Sequence, residues 1–133
     1  MGSGNNCQVR IVRPQDVFEL VGRGLQTLER EEVMLICLDS QNAVINSEKV
    51  AGGAVDMALL RPRDVFEPAL KNSAASVVLV HNHPSGSPYP SDADVEVTKR
   101  LVRIGKLIGV QIRDHVIIGN GGFTSLRAFG VIR

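Results

Sequence analysis

The sequence predicts an α/β protein in which a mixed central β-sheet is flanked by helices. Short apolar runs typical of strands alternate along the chain with longer segments that repeat apolar residues at helical spacing. The run from residue 76 to 80 is rich in β-branched residues and predicts a central strand that is covered on both faces. With 133 residues, the chain is long enough for one compact domain and too short for two.

Two helices and two strands are predicted before the central strand. The segment from Pro14 to Arg30 repeats apolar residues at helical spacing, and proline suits the first turn of a helix. The continuous apolar run from Val33 to Leu38 predicts a buried strand, and the turn at residues 39–42 leads into the next strand. The second strand is predicted near residues 43–51, and a short helix at residues 62–71.

The second half of the chain contains the longest predicted helix. A loop rich in Pro, Gly and Ser, from Pro84 to Pro90, separates the central strand from Ser91, which is typical of a helix N-cap. A helix is predicted from Ser91 to Ile108, followed by strands at residues 111–118 and 123–125. The stripe predicted to face the core consists of Val95, Thr98, Leu101, Val102, Gly105 and Ile108.

Composition and cysteine usage disfavour several classes of function. Fifteen basic and fourteen acidic residues leave a net charge of +1, whereas strong nucleic-acid binders carry a basic excess. No apolar run is long enough to span a bilayer, so no membrane partner is predicted. Cys37 stands in an apolar run and is interpreted as a buried free thiol, not as a disulfide partner of Cys7. Reduced cysteines and the lack of a signal peptide predict a cytoplasmic protein.

One domain is predicted, at residues 13–133. The first residues are small and polar, and residues 1–12 are interpreted as a tag remnant or linker plus a first strand. Such an opening is compatible with a domain excised from a longer protein.

Two histidines and an aspartate form the candidate functional site of the sequence. His81 and His83 leave the end of the central strand, where side chains two residues apart share a face and can reach one metal ion. Pro84 ends the strand and turns the chain away. Ser91 as an N-cap puts Asp94 in the first helical turn, pointing back toward the strand end. Two neutral imidazoles and a carboxylate suit Zn²⁺, with the fourth tetrahedral position left for water, so one zinc per chain is predicted.

Each part of this candidate site also has a purely structural explanation. A lone His-x-His at a strand end is more often a pair of surface or hydrogen-bonded histidines. Ser91 followed by Asp94 is also what a variant of the capping box looks like. The two parts occur together, one at a strand end and one at a helix start, and this joint occurrence favours the metal site.

The same residues resemble the motif of a known metalloprotease family. The pattern of the JAMM, or MPN-plus, metalloproteases is matched by His81, His83, Pro84, Ser91 and Asp94. Asn82 stands where the deubiquitinating branch has Ser or Thr, and the run at residues 81–86 is similar to the RadC branch. Residues 38–42 and 114–119 are similar to that branch as well, and the resemblance extends from about Arg13 to Arg133.

The resemblance implies a three-layer, cytidine-deaminase-like fold with a hydrolytic zinc centre and an upstream glutamate as general base. Glu31 and Glu32 are the two candidates for this base. RadC-like sequences place the glutamate eight residues before the Asp of a Leu-Asp turn, which is Asp39 here, and that spacing points to Glu31. Because adjacent strand residues face opposite sides, only one of the two can serve, and Glu32 is interpreted as a solvated charge.

The resemblance also implies catalytic roles for two side chains. Glu31 would take a proton from water activated by zinc and later deliver it to the leaving amine. The Ser91 hydroxyl would hydrogen-bond the developing oxyanion, although its capping role competes for the same oxygen.

Other interpretations of these residues are weaker. The HNH nuclease motif is spread over a ββα-metal unit and is not a contiguous tripeptide, and the Pro-Cys-x-x-Cys ligands of zinc deaminases are absent. His115 either holds a turn or lines the cleft, and the structural role is favoured. Lys99, Arg103 and Lys106 form a basic stripe on the long helix, for which a solvated face is a commoner explanation than nucleic-acid contact.

Two functions from different classes are kept. The first is a zinc-dependent hydrolase that cleaves a peptide or isopeptide bond in a peptide or protein substrate whose identity the sequence does not give. The second is a non-catalytic DNA-repair-associated or protein-interaction module with a vestigial metal site. The intact ligand set favours the first, and the near-zero net charge predicts weak nucleic-acid binding by this domain alone. Whether the domain forms a homodimer is open.

Overall fold

A five-stranded mixed sheet lies at the centre of the part of the chain that the computed structural model describes, residues 8–50 and 57–133. Neighbouring strands run antiparallel except β3 and β4, which are parallel and joined through a helix. The order of the strands across the sheet is β2-β1-β3-β4-β5. Their bounds are Val33–Leu38 for β1, Val44–Lys49 for β2, Ser76–Asn82 for β3, Gln111–Gly119 for β4 and Gly122–Ser125 for β5.

Within the described ranges, three helices accompany the sheet, together with one short 3₁₀ turn at Met57–Leu59. The first helix, α1, is made of three consecutive segments, of which the middle one is a π-helical turn. The bounds are Pro14–Val17, Phe18–Gly22 and Arg23–Gln26 for α1, Pro62–Lys71 for α2 and Asp92–Ile108 for α3. None of the described helices is long and apolar enough to cross a membrane.

The central strand β3 is buried on both faces, as its sequence predicted. Val77 and Leu79 belong to an apolar cluster that includes side chains of α2 and α3. Val78 and Val80 belong to a second cluster on the other face, which includes side chains of α1. Helices therefore cover both faces of the sheet, and the α/β class predicted from the sequence is confirmed.

Two of the segments predicted from the sequence, the N-terminal segment and the second strand, extend beyond the described residues. Residues 1–7 of the segment interpreted as a tag or linker, and Ala51 at the predicted end of the second strand, lie outside them. Further along, Arg10 forms an isolated antiparallel bridge with Ala43, next to the start of β2.

The helix predicted to reach Arg30 ends at Gln26. The Arg30 carbonyl accepts a hydrogen bond from Asn82 Nδ2 at 2.9 Å, and the Glu32 N–H donates to Asn82 Oδ1 at 2.7 Å. The prediction was too long because a side chain on β3, remote in sequence, holds the backbone at residues 30–32.

The inner stripe of α3 also differs from the prediction. Asp94 and Val97 are buried members that the prediction lacked, whereas Ile108 is 43% exposed. The chain reverses at Gly109, whose φ of 81° suits the left-handed cap of a helix. Val110 then donates its N–H to the Gly105 carbonyl and is itself buried, so that Val110 and not Ile108 enters the core there.

Cys37 on β1 is a free, fully buried thiol, as predicted. Burial and the nearby Glu48 charge raise the pKa of this thiol to about 11, although a contact with Asn72 opposes the shift. Because the thiolate is the reactive form, we expect iodoacetamide at pH 8 to leave Cys37 unmodified in the folded protein and to modify it in denaturant. Peptide mass mapping distinguishes this site from Cys7, and rapid native labelling of Cys37 would contradict its burial.

Candidate metal centre

The two histidines of the motif lie at the end of β3 that faces α3. His81 lies on the same face of β3 as Val77 and Leu79 and is fully buried. His83 lies just beyond the strand, where its N–H donates to the Ile118 carbonyl of β4 at 3.0 Å. The two imidazole rings approach edge to face, with their centroids 4.8 Å apart.

The carboxylate of the motif is held by the N-terminus of α3. Ser91 is the N-cap of this helix, as predicted, and its Oγ accepts the Asp94 N–H at 3.0 Å. In return, the Ser91 N–H donates to Asp94 Oδ2 at 2.8 Å, which completes a capping box. The first bond holds the Asp94 backbone and the second its carboxylate, and Asp94 is 2% exposed.

These elements bring the three predicted ligands together. His81 Nε2 lies 3.2 Å from Asp94 Oδ1, and His83 Nε2 lies 3.0 Å from Asp94 Oδ2. The three ligand atoms all lie within 4.8 Å of one another, so this cluster could hold a metal ion.

The protonation of the cluster fits a cation at its centre. The Ser87 carbonyl, an acceptor only, lies 2.9 Å from His83 Nδ1, so a neutral His83 carries its proton there and presents a bare Nε2 to Asp94. His81 Nε2 is buried and has no hydrogen-bond partner of acceptable geometry among the residues that the structure describes. A metal ion placed between the two imidazoles and the carboxylate would satisfy all three groups.

Asp94 is an ionised partner for such a cation. Burial alone would raise the pKa of its carboxyl, but the adjacent His81 imidazole and Ser91 hold that pKa below its ordinary value. A buried carboxylate that stays charged beside two imidazoles is the anionic ligand that a divalent metal site needs.

The two glutamates before β1 lie on opposite sides. Glu31 Oε2 is 3.9 Å from His81 Nε2 and accepts the Met57 N–H at 3.3 Å. Glu32 Oε2 instead pairs with Lys49 Nζ at 3.3 Å, on the side of β2. Only Glu31 therefore lies beside the cluster, and its role as a base stays a prediction.

Asn82 has a structural task that its place in the motif did not reveal. Its side chain binds the Arg30 carbonyl and the Glu32 N–H, the two backbone groups that flank Glu31. The amide is 2% exposed, between the two histidines in sequence. One residue of the motif thus holds the segment that carries Glu31 beside the ligands.

Ser91 is compatible with both roles considered for it. As the N-cap of α3, Ser91 uses one lone pair of its Oγ to accept the Asp94 N–H. A hydroxyl also has one proton to donate, so capping does not consume the group that would hydrogen-bond an oxyanion. The conflict expected from the sequence is thereby removed, and the catalytic role stays a prediction.

His115 on β4 is fully buried and contacts the cluster from behind, which sequence reasoning missed. Its Nε2 lies 2.7 Å from His81 Nδ1, and its Nδ1 lies 2.6 Å from Thr98 Oγ1. Burial, followed by the charges of neighbouring groups, lowers the pKa of His115 well below its ordinary value. The parallel pairing of β3 with β4 brings this ring to His81, a pairing that no local pattern specifies.

Comparisons with known proteins agree on one family. Residues 11–131 match the family model described as a RadC-like JAB domain. The chain is 40% identical over 124 residues to a UPF0758 protein of Methanosarcina barkeri, which covers 93% of this chain and 54% of that protein. A UPF0758 protein of Desulforamulus reducens is 44% identical over 119 residues, with 90% and 52% covered. The chain spans about half the length of these curated relatives.

Proposed function

This chain belongs to the family of RadC-like JAB domains, and we propose that it is a zinc-dependent hydrolase that cleaves a peptide or isopeptide bond. The observation that carries the proposal is the convergence of His81, His83 and Asp94, whose ligand atoms all lie within 4.8 Å of one another. The presence of both imidazoles and the buried carboxylate favours the hydrolase over a module with a vestigial metal site.

The donor set fits one zinc ion per chain. Two imidazole nitrogens and one carboxylate oxygen are the ligand types of catalytic zinc sites, which leave a fourth position for water or substrate. When bound, zinc supplies Lewis acidity and makes water acidic enough to lose a proton at neutral pH.

Glu31 and Ser91 supply the remaining groups of the proposed chemistry. The Glu31 carboxylate, 3.9 Å from His81 Nε2, receives the proton of the attacking water at Oε2 and returns it to the leaving amine. Ser91 donates a hydrogen bond from its hydroxyl to the oxygen of the scissile carbonyl as negative charge develops there. Asn82 fixes the backbone on both sides of Glu31 and so limits how far the base can move.

A cleavage screen with a metal measurement tests the proposed function. Protein purified without chelator is analysed for metal and then incubated with a peptide library and isopeptide-linked substrates, with and without 1,10-phenanthroline. The expected result is about one zinc per chain and cleavage that the chelator abolishes and added zinc restores. Protein without zinc, or cleavage that is indifferent to the chelator, would refute the proposal.

DNA binding separates this proposal from the repair-module alternative. Lys99, Arg103 and Lys106 are exposed on α3 and offer three phosphate contacts. Three contacts give a log-log salt slope of roughly −3 at most and a Kd no better than about 10⁻⁴–10⁻⁶ M. Titration of labelled duplex, hairpin and branched DNA at two salt concentrations measures both quantities. Tight, structure-selective binding that survives high salt and does not require zinc would favour the alternative.

A further inference from the structure

Thr98, His115 and His81 form a continuous row of hydrogen bonds behind the candidate metal centre. Thr98 Oγ1 lies 2.6 Å from His115 Nδ1, and His115 Nε2 lies 2.7 Å from His81 Nδ1. All three side chains are 0% exposed. The far end of the row is His81 Nε2, the atom that faces Asp94 and Glu31.

Thr98 gives this row a direction. Its hydroxyl lies 2.7 Å from the Asp94 carbonyl oxygen and must donate to it, because a carbonyl only accepts. The Thr98 oxygen then accepts the Nδ1–H of His115. An imidazole that gives its single N–H to Thr98 leaves its other nitrogen as an acceptor, so His115 Nε2 accepts the Nδ1–H of His81.

We propose that Thr98 and His115 are positioning residues that keep the His81 proton on Nδ1 and thereby present Nε2 to the metal as a lone pair. This inference rests on the zinc site proposed above. Among the described residues, His81 Nε2 makes no hydrogen bond of acceptable geometry, although Asp94 Oδ1 lies 3.2 Å away, so no contact there requires this atom to carry a proton.

The same row of hydrogen bonds could also run in the opposite direction, with each N–H on the other ring nitrogen. Thr98 disfavours this arrangement. If the proton moved to His81 Nε2, Asp94 Oδ1 at 3.2 Å would attract it, and zinc would have to displace it before binding. The Thr98 hydroxyl would then donate to His115 Nδ1. The Asp94 carbonyl oxygen and Thr98 Oγ1 would face each other at 2.7 Å with no proton between them.

The tautomers can be measured without metal. The chain has three histidines, so the ring ¹⁵N signals of the chelator-treated protein can be assigned. We expect His81 and His115 to be protonated on Nδ1 in the parent chain and in Thr98→Ser, which keeps the hydroxyl. In Thr98→Val, which has nearly the same shape but no hydroxyl, we expect both protons on Nε2. A parent chain with His81 protonated on Nε2 would overturn the inference without recourse to any variant.

Zinc affinity supplies the second readout. Loss of a residue that supports a metal ligand typically weakens binding about 10–100-fold, so chelator competition should give that loss for Thr98→Val and parent-like affinity for Thr98→Ser. If Thr98→Val binds zinc like the parent chain, the positioning role is refuted and the zinc site stands. If the parent chain takes up no zinc, the proposed hydrolase fails, and the tautomers of the metal-free parent still decide the inference.

Discussion

Replacement of His83 by alanine is expected to abolish stoichiometric zinc binding while the domain stays folded. His83 is the better ligand to remove, because its side chain is 16% exposed, whereas the His81 side chain is fully buried and its loss would leave a cavity. A missing ligand should weaken zinc binding by more than the roughly 10–100-fold that is typical when only a supporting residue is lost.

Elemental analysis and chelator competition measure this effect, and Ser85→Ala in the same loop is the matched control because its exposed side chain lies outside the ligand set. Thermal unfolding gives an independent check, since a ligand that binds only the folded state at 100 times its Kd stabilises that state by about 2.7 kcal/mol. Chelator should therefore lower the Tm of the parent chain and of Ser85→Ala but not that of His83→Ala. Equal zinc content in His83→Ala and the parent chain would refute the ligand assignment.

The elements that the sequence predicted are those encoded by local patterns. β1 is a continuous apolar run, β3 is rich in β-branched residues, and α3 begins directly after Ser91. The strand β3, the N-cap Ser91 and the loop between them are enough to bring Asp94 close to His81 and His83. The candidate ligands could therefore be identified from fewer than twenty consecutive residues.

The groups that support those ligands could not be found in this way. Asn82 binds backbone groups about fifty residues upstream, and His115 reaches His81 through the register of β4 against β3. Strands that are buried on both faces lack the alternation of apolar and polar residues that would indicate their register. Thr98 was predicted to face the core on apolar spacing alone, and that spacing does not reveal the contacts of its hydroxyl with His115 and the Asp94 carbonyl oxygen.

The expected result for Glu31→Gln is a protein that keeps its zinc and loses hydrolysis. Glutamine has nearly the same shape as glutamate and can still accept the Met57 N–H, but its amide cannot take up the proton of the attacking water. General acid–base groups typically contribute 10²–10⁴-fold to the rate, so we expect kcat to fall by about that factor. The assay is cleavage of the best peptide from the library screen, with the zinc content of each variant measured in parallel.

Glu32→Gln is the matched control for this experiment, because it makes the same chemical change one residue away. It removes the exposed ion pair with Lys49, which is worth about 0–1 kcal/mol, and leaves the side of the chain that faces His81 intact. Zinc content and kcat should therefore stay near the parent values. Full activity in Glu31→Gln would refute its role as the base. A folded, zinc-loaded but inactive Glu32→Gln would instead assign that role to Glu32. In that case the backbone at residues 30–32, which Asn82 holds, would have to rotate to bring the Glu32 side chain to His81.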